Sequence, residues 1–284
     1  MQLVLIGGAQ RSGTTLLQTV LANTLGSPNL PEAHILSDIL AAYKRAKEFG
    51  NKTRVIYPND ANLLTFFRSF AERHVADITG GRQLAVLVLK DPNFIHTLKE
   101  ASAVFPQCAR IVCMRDPRDI VASFVQIGQR ETAEKPSKYK SRDIHAICKK
   151  VSSSYQPLLP ATPTSVALVR YETFVCDPRG SLDALSREIG LRLSLDRLEG
   201  SEWLDAKARH EPTWITELEG GAPSTASIGS FKRVLTGEEV AIVQKSCRPI
   251  LERFGYPLVD NPNPGRRDRA RSFFSLKPSG GKKS

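Results

Sequence analysis

Residues 8–15 read Gly8-Ala9-Gln10-Arg11-Ser12-Gly13-Thr14-Thr15. Two glycines with four residues between them, followed by two small hydroxyl residues, have the spacing of a nucleotide phosphate loop. Thr14 stands where such a loop carries the lysine that reaches the β- and γ-phosphates of ATP or GTP. Arg11 supplies a positive charge inside the loop instead. The apolar run Leu3-Val4-Leu5-Ile6 leads in as a strand, and Leu16, Leu17, Val20, Leu21 and Leu25 lead out at helical spacing. Strand, glycine turn and helix N-terminus make an anion site, because backbone N–H groups point outward there and the helix dipole favours negative charge. With the lysine absent, a ligand bearing one phosphate group at this end fits better than a triphosphate.

A second segment, residues 110–124, has a strand ending at Arg115, a proline near the start of a helix, where its missing N–H costs little, and Ser123 eight residues after Arg115. Taken with the first loop, it resembles the sulfotransferases that use 3′-phosphoadenosine-5′-phosphosulfate (PAPS). Arg-Ser-Gly-Thr-Thr after a strand is similar to their 5′-phosphosulfate loop, which implies that Arg11, Ser12, Gly13, Thr14 and Thr15 hold the 5′ end of the donor. An arginine and a serine spaced like Arg115 and Ser123 hold the 3′-phosphate in that family. Lys90-Asp91-Pro92 resembles the Lys-Asp-Pro segment of the tyrosylprotein branch, and Glu32 sits where the tyrosylprotein and heparan branches carry a catalytic glutamate. Tyr171 resembles the tyrosine that meets the adenine. Residues 227–233 resemble the late Gly-x-Trp-Lys loop, which implies nucleotide contacts from Ser227, Gly229, Ser230, Phe231 and Lys232, with Phe231 in place of tryptophan. On the acceptor side, residues 35–80 and 130–160, the resemblance offers no recognisable segment.

These residue types suit sulfuryl transfer, in which a planar group moves in line between two oxygens and the protein mainly positions groups and stabilises charge. Lys90, at the end of a strand, can neutralise charge on the transferred or leaving oxygens. Glu32 can take the acceptor's proton if held within hydrogen-bond reach, or it can be a first-turn helix glutamate facing the dipole. His34 and His96 lie near these motifs as rival bases, with a structural or surface role the plainer reading of each. No metal is required, and no metal-ligand spacing is present.

The elements that must position these groups follow from periodicity. Buried strands are expected at 3–6, 84–90, 110–114 and 165–170, and helices at 13–25, 32–48, 60–78, 95–105, from 117, 139–158, 178–190, 195–206 and 236–254. Leu63, Leu64, Phe67, Phe70 and Ala71 are expected on one side of the helix at 60–78, and Phe66, Phe67 and Phe70 are read as core rather than as an acceptor pocket. Continuous apolar strands separated by helices indicate an α/β, three-layer, phosphate-loop-like fold with a central parallel sheet, and ligands at the strands' carboxyl ends.

The chain has 284 residues with 41% hydrophobic and 24% charged, ordinary for one globular domain, here residues 1–258. Its net charge is +11, of which residues 265–284 carry seven cations against Asp268 alone, or +6. Residues 259–284 are therefore read as a basic tail, either solvated and disordered or docking an anionic partner. Five cysteines without a Cys-x-x-Cys pair, no apolar run near 20 residues and a strand starting at the first residues suggest a reduced, cytoplasmic protein without signal peptide or transmembrane segment. Two rivals stay open: a phosphate-loop kinase of a nucleotide or small alcohol, and a non-catalytic nucleotide fold whose tail binds an anionic polymer.

Overall fold

The four apolar runs form one parallel sheet: β1 (Gln2–Gly8), β2 (Val86–Lys90), β3 (Ala109–Met114) and β4 (Val166–Arg170), in the order β2-β1-β3-β4. The computed structural model describes residues 1–130, 142–160, 165–193 and 223–260. Register places Ile6 opposite Lys90, Gly8 opposite Cys113, and Met114 opposite Arg170, so the carboxyl ends of all four strands open on one edge. The candidate segments at 8–15, 90–92, 115–123 and 171–174 each follow one of these ends, and the late loop at 227–232 does not.

Strand alternation divides the core into two faces. Val4, Ile6, Val88, Ile111 and Cys113 pack under α1 (Thr14–Leu25), α8 (Tyr171–Cys176) and α9 (Pro178–Ile189). Leu3, Leu5, Leu87 and Leu89 face the other way, under α2 (His34–Glu48), α4 (Asp60–Thr79) and α5 (Leu98–Val104). Val112 and Met114 extend that second face under α6 (Pro117–Arg130), α7 (Ile144–Tyr155) and α11 (Gly237–Ser246). The result is the three-layer arrangement expected from the sequence. Short helices α3 (Asn51–Arg54), α10 (Phe231–Val234) and α12 (Arg248–Arg253) complete the described elements.

Three expectations need correction. The run 236–254 is two helices, because Pro249 in the first turn of α12 has no N–H to continue the ladder from α11. Tyr171 starts a helix of its own that the sequence reading did not include. On α4 the buried stripe steps by four, through Leu63, Ala71, Val75 and Thr79. That spacing leaves Phe66 and Phe70 at 49% and 52% exposure, so neither is core; Phe67 is half-buried. The expected helix at 195–206, the first residues of the helix at 139–158 and the tail from 261 lie outside the described residues. Of the cysteines, four are buried and Cys176 is exposed, all as free thiols.

Candidate active site

The turn after β1 has the backbone of an anion cradle. Gly8 and Gly13 take φ of 148° and 96°, and Arg11, which carries a side chain, also takes a positive φ of 70°. A non-glycine residue in that region costs on the order of 1 kcal/mol, so the surroundings must hold it there. They do so from both sides. The Arg11 carbonyl accepts from Arg115 Nη1 at 2.9 Å, while Arg11 Nε donates to Ser123 Oγ at 3.1 Å. Beneath the loop, the Cys113 thiol donates to the Ser12 carbonyl at 3.0 Å, and burial pushes that thiol up to about 12. The first turn of α1 carries no acidic residue, and Gly13 offers it no side-chain cap. Its leading N–H groups thus remain the natural partners of an anion.

Arg115 joins this loop to the late loop. Its Nη2 donates to the Ser227 carbonyl at 3.0 Å, its guanidinium lies 4.6 Å from the Tyr171 ring centroid, and its buried Nε has no hydrogen-bond partner among the described residues. A buried charged donor left over in this way is costly unless an acceptor arrives. Tyr171 closes the other side: its hydroxyl is 2.6 Å from Ser227 Oγ, and its ring rests on Gly13, where an added Cβ would meet Cδ2 at 2.4 Å.

The late loop hangs on one carboxylate. Asp119, 1% exposed in the first turn of α6, accepts from Gly229 N at 2.8 Å, Ser230 Oγ at 3.0 Å and Phe231 N at 3.0 Å. Burial raises its pKa above the ordinary aspartate value, against those hydrogen bonds and Arg115, which pull it down. Ser230 and Phe231 are buried, and the Arg118 guanidinium lies 4.6 Å from the Phe231 ring. Arg118 in turn is held by Asp116 at 2.7 Å, and Glu172 Oε1 accepts from Asp116 N at 2.8 Å. Gly229 is thus held by its N–H on Asp119, Ser227 meets Arg115 through its carbonyl and Tyr171 through its hydroxyl, Lys232 lies within α10, and Phe231 is buried in the core.

Glu32 and Lys90 are brought together by the return of the chain after α1. Gly26 ends that helix at φ 66°, and Ser27 Oγ accepts from Val88 N at 2.9 Å. Gln18 Nε2 then holds the Leu30 carbonyl at 2.9 Å, and Ala33 N donates to the Lys90 carbonyl at 2.8 Å. Residues 27–33 are in this way laced along β2, which sets Glu32 at its carboxyl end. Lys90 Nζ, with its side chain 3% exposed, donates to Glu32 Oε1 at 2.8 Å and to Thr15 Oγ1 at 3.3 Å. One ammonium thus spans the phosphate loop and the candidate base.

His34, read from sequence as more plainly structural, stands beside Glu32 instead. Its Nε2 is 3.3 Å from Glu32 Oε2 and its Nδ1 is 2.6 Å from Asp91 Oδ2. Asp91 is fully buried, which raises its pKa against the pull of Asn93 N and His34. Glu32, His34 and Asp91 offer ligand atoms all within 4.8 Å, the one such trio among the described residues. A divalent cation there would face the Lys90 ammonium already seated on Glu32. His96 is turned elsewhere: its carbonyl accepts from Lys44, and burial with Lys44 lowers its pKa.

Sequence reasoning did not find Asp119, Glu172 or Asp91 as anchors. Asp119 reads as an ordinary first-turn acid, and the available signal was that it follows Arg115 by four residues in a segment already singled out.

Comparison with known proteins identifies the family and the fold. The profile of the Sulfotransferase family matches residues 4–194. Protein-tyrosine sulfotransferase 1 of Danio rerio is 24% identical, over 94% of this chain and 76% of its own. Among solved structures, the sulfotransferase domain of the Synechococcus PCC 7002 olefin synthase superposes with a TM-score of 0.57 at 19% identity, covering 91% of this chain and 95% of that domain. The sulfotransferase domain of the curacin biosynthetic pathway gives the same TM-score at 15% identity, covering 91% and 99%. At these identities the structural likeness speaks for the fold alone.

Proposed function

The chain belongs to the sulfotransferase family, and from that premise we propose that it moves a sulfuryl group from PAPS to a hydroxyl acceptor, releasing adenosine 3′,5′-bisphosphate. The observation that carries the reading is the contact chain Glu32–Lys90–Thr15, which sets a proton acceptor, a buried cation and the phosphate loop within hydrogen-bond reach of one another. In the reaction the acceptor O–H bond breaks as its oxygen bonds to sulfur. The bond from sulfur to the 5′-phosphate oxygen breaks, and its electron pair stays on that oxygen. Glu32 takes the proton, and His34 beside it gives that proton a route to water. Lys90 moves from Glu32 toward the charge that grows on the transferred and leaving oxygens, and Arg11 with the N–H groups of Gly13 to Thr15 holds the 5′ end.

The donor set also fits a 3′-phosphate. Arg115 has a buried Nε unpartnered among the described residues, and Arg11 links it to Ser123, so one phosphate can draw on two guanidinium groups and a hydroxyl. Tyr171, Ser227, Gly229, Ser230, Phe231 and Lys232 form or back the wall beside it. Hydroxyls of protein tyrosine, saccharides and small alcohols are the acceptor classes to try. The test is incubation with sulfur-labelled PAPS and such a panel: label on a hydroxyl with stoichiometric adenosine 3′,5′-bisphosphate supports the reading. Turnover of ATP with Mg²⁺ and none of PAPS would replace it with a kinase.

A further inference from the structure

Five of the large apolar residues exposed among the described residues gather at one place, the turn between α2 and α4. Phe49, Val55 and Ile56 are 63%, 84% and 74% exposed, and Phe66 and Phe70 continue the patch along α4. The turn is built rather than frayed. Lys52 N and Ile56 N donate to the carbonyls of Phe49 and Thr53, and Thr53 Oγ1 donates to the Ala46 carbonyl at 2.8 Å. Tyr57 packs on Phe66 at 5.4 Å between ring centroids, which ties residues 55–57 to the outer side of α4. Behind it Phe66 meets Phe67 at 5.2 Å and Phe67 meets Tyr43 at 5.4 Å, an aromatic ladder down to the core.

Cations surround the exposed apolar tip. Residues 44–57 hold Lys44, Arg45, Lys47, Lys52 and Arg54 against Glu48 alone. Lys44 and Lys47 turn back to the His96 carbonyl and to Glu100. Arg45, Lys52 and Arg54 are exposed at the tip. Apolar side chains projecting from a rigid turn, ringed by cations, have the chemistry of a surface that sits in the boundary of an anionic bilayer: the apolar groups leave water and the cations meet headgroup phosphates.

We propose that the α2–α4 turn docks this protein on an anionic lipid surface, through Phe49, Val55 and Ile56 with Arg45, Lys52 and Arg54. Pairing with a second copy of the chain is disfavoured by the same residues, since apposing two such tips brings like charges together. No helix among the described residues is long and apolar enough to cross a membrane, so the contact belongs to the surface and not to a span. The site lies at the other end of α2, fifteen residues or about 20 Å away.

The test is co-sedimentation of the full chain with vesicles of phosphatidylcholine, alone or with about 30 mol% phosphatidylglycerol. Binding is expected on the anionic vesicles and not on the neutral ones, and it should weaken as salt rises. Val55→Ser with Ile56→Ser should lower partitioning about tenfold. Lys52→Glu with Arg54→Glu should lower it at least about 25-fold, from roughly fivefold per cation lost. These positions are exposed, so thermal unfolding of both variants should match the parent; a drop there calls for Val55→Thr and Lys52→Gln in their place. Absence of binding to anionic vesicles overturns the proposal. So does binding that both pairs leave intact but that vanishes when Arg266, Arg267, Arg269 and Arg271 are neutralised, since the tail alone would then be responsible. A dimer in sedimentation velocity that Val55→Ser with Ile56→Ser dissolves would assign the tip to a second copy instead.

Discussion

Glu32→Gln separates the proton acceptor from the rest of the site. The amide keeps the shape and can still face Lys90 through its carbonyl, but the negative charge is gone. Lys90 Nζ now lies 2.8 Å from Glu32 Oε1 with its side chain 3% exposed, while Glu32 is 22% exposed. Lys90 is therefore buried and Glu32 opens to solvent on one side only, so loss of the pair should cost the free protein about 2–3 kcal/mol of stability, just below the range for a fully buried pair. Donor binding should change in the other direction. In the wild type Lys90 must leave Glu32 to meet an anion, and the carboxylate repels that anion. The variant removes both terms, so the affinity for PAPS should hold or tighten by up to about tenfold. Transfer should slow by about 10²–10⁴, the usual worth of a general base, and less for a phenol near pKa 10 than for an alcohol that holds its proton more tightly. Single-turnover transfer from sulfur-labelled PAPS at saturation, with one phenol and one alcohol as acceptors, reads the rate, and calorimetry reads the affinity. Lys90→Ala should slow both acceptors alike. Wild-type transfer rates in Glu32→Gln, or a loss recovered simply by adding PAPS, would refute the assignment and make His34 the next base to test.

Arg115→Ala should raise the KM for PAPS at least about thirtyfold with kcat nearly unchanged, because a 3′-phosphate contact is remote from the reacting sulfur; steady-state kinetics decide it. Gly13→Ala combines a φ of 96° with a Cβ 2.4 Å from Tyr171, whereas Gly26→Ala at φ 66° meets nothing within 4 Å. Both should lose about 1–2 kcal/mol to backbone strain in thermal unfolding, and Gly13→Ala alone should also lose nucleotide affinity. Asp119→Asn should destabilise by about 2–4 kcal/mol and weaken nucleotide binding, since an amide cannot accept from Gly229, Ser230 and Phe231 together. Its pH signature has a definite sign. Burial raises the native Asp119 pKa above the ordinary aspartate value, so the native state holds this proton more tightly than the unfolded chain. Asp119 then lowers stability as pH rises from about 3.8 through its native pKa, and Asp119→Asn should make the slope of unfolding free energy against pH more positive in that window.

The parts of the fold that rest on local pattern were legible. The four strands are unbroken apolar runs, and the phosphate loop is fixed by glycines at positions where φ must be positive, so both could be placed from residue types alone. The link between Arg11 and Ser123, 112 residues apart, was reachable only because both lie in segments that a family pattern had already marked. The illegible parts depend on register between distant pieces. His34 read as a rival base with a structural role the plainer choice, because nothing in its neighbourhood announces that residues 27–33 are laced to β2, which is what sets it against Asp91. Asp119 looked like a dipole-facing acid because its three partners lie 110 to 112 residues away. Phe66 and Phe70 were misplaced because three phenylalanines within about one and a half turns suit either of two adjacent stripes, and only the packing of α2 and α5 against α4 chooses the one through Leu63 and Ala71.

The most direct measurement of donor identity needs no acceptor. Calorimetric titration of the protein with PAPS or adenosine 3′,5′-bisphosphate should be compared with adenosine 5′-phosphosulfate and ATP. Without a 3′-phosphate, the buried Arg115 guanidinium and Ser123 lose their acceptor, a loss of about 2–4 kcal/mol. The expected result is that both 3′-phosphorylated nucleotides bind roughly thirtyfold to several-hundredfold more tightly than the other two, and that Arg115→Ala erases the difference. Equal affinity for PAPS and adenosine 5′-phosphosulfate, or tighter binding of ATP, would contradict the donor site described for Arg11, Arg115 and Ser123.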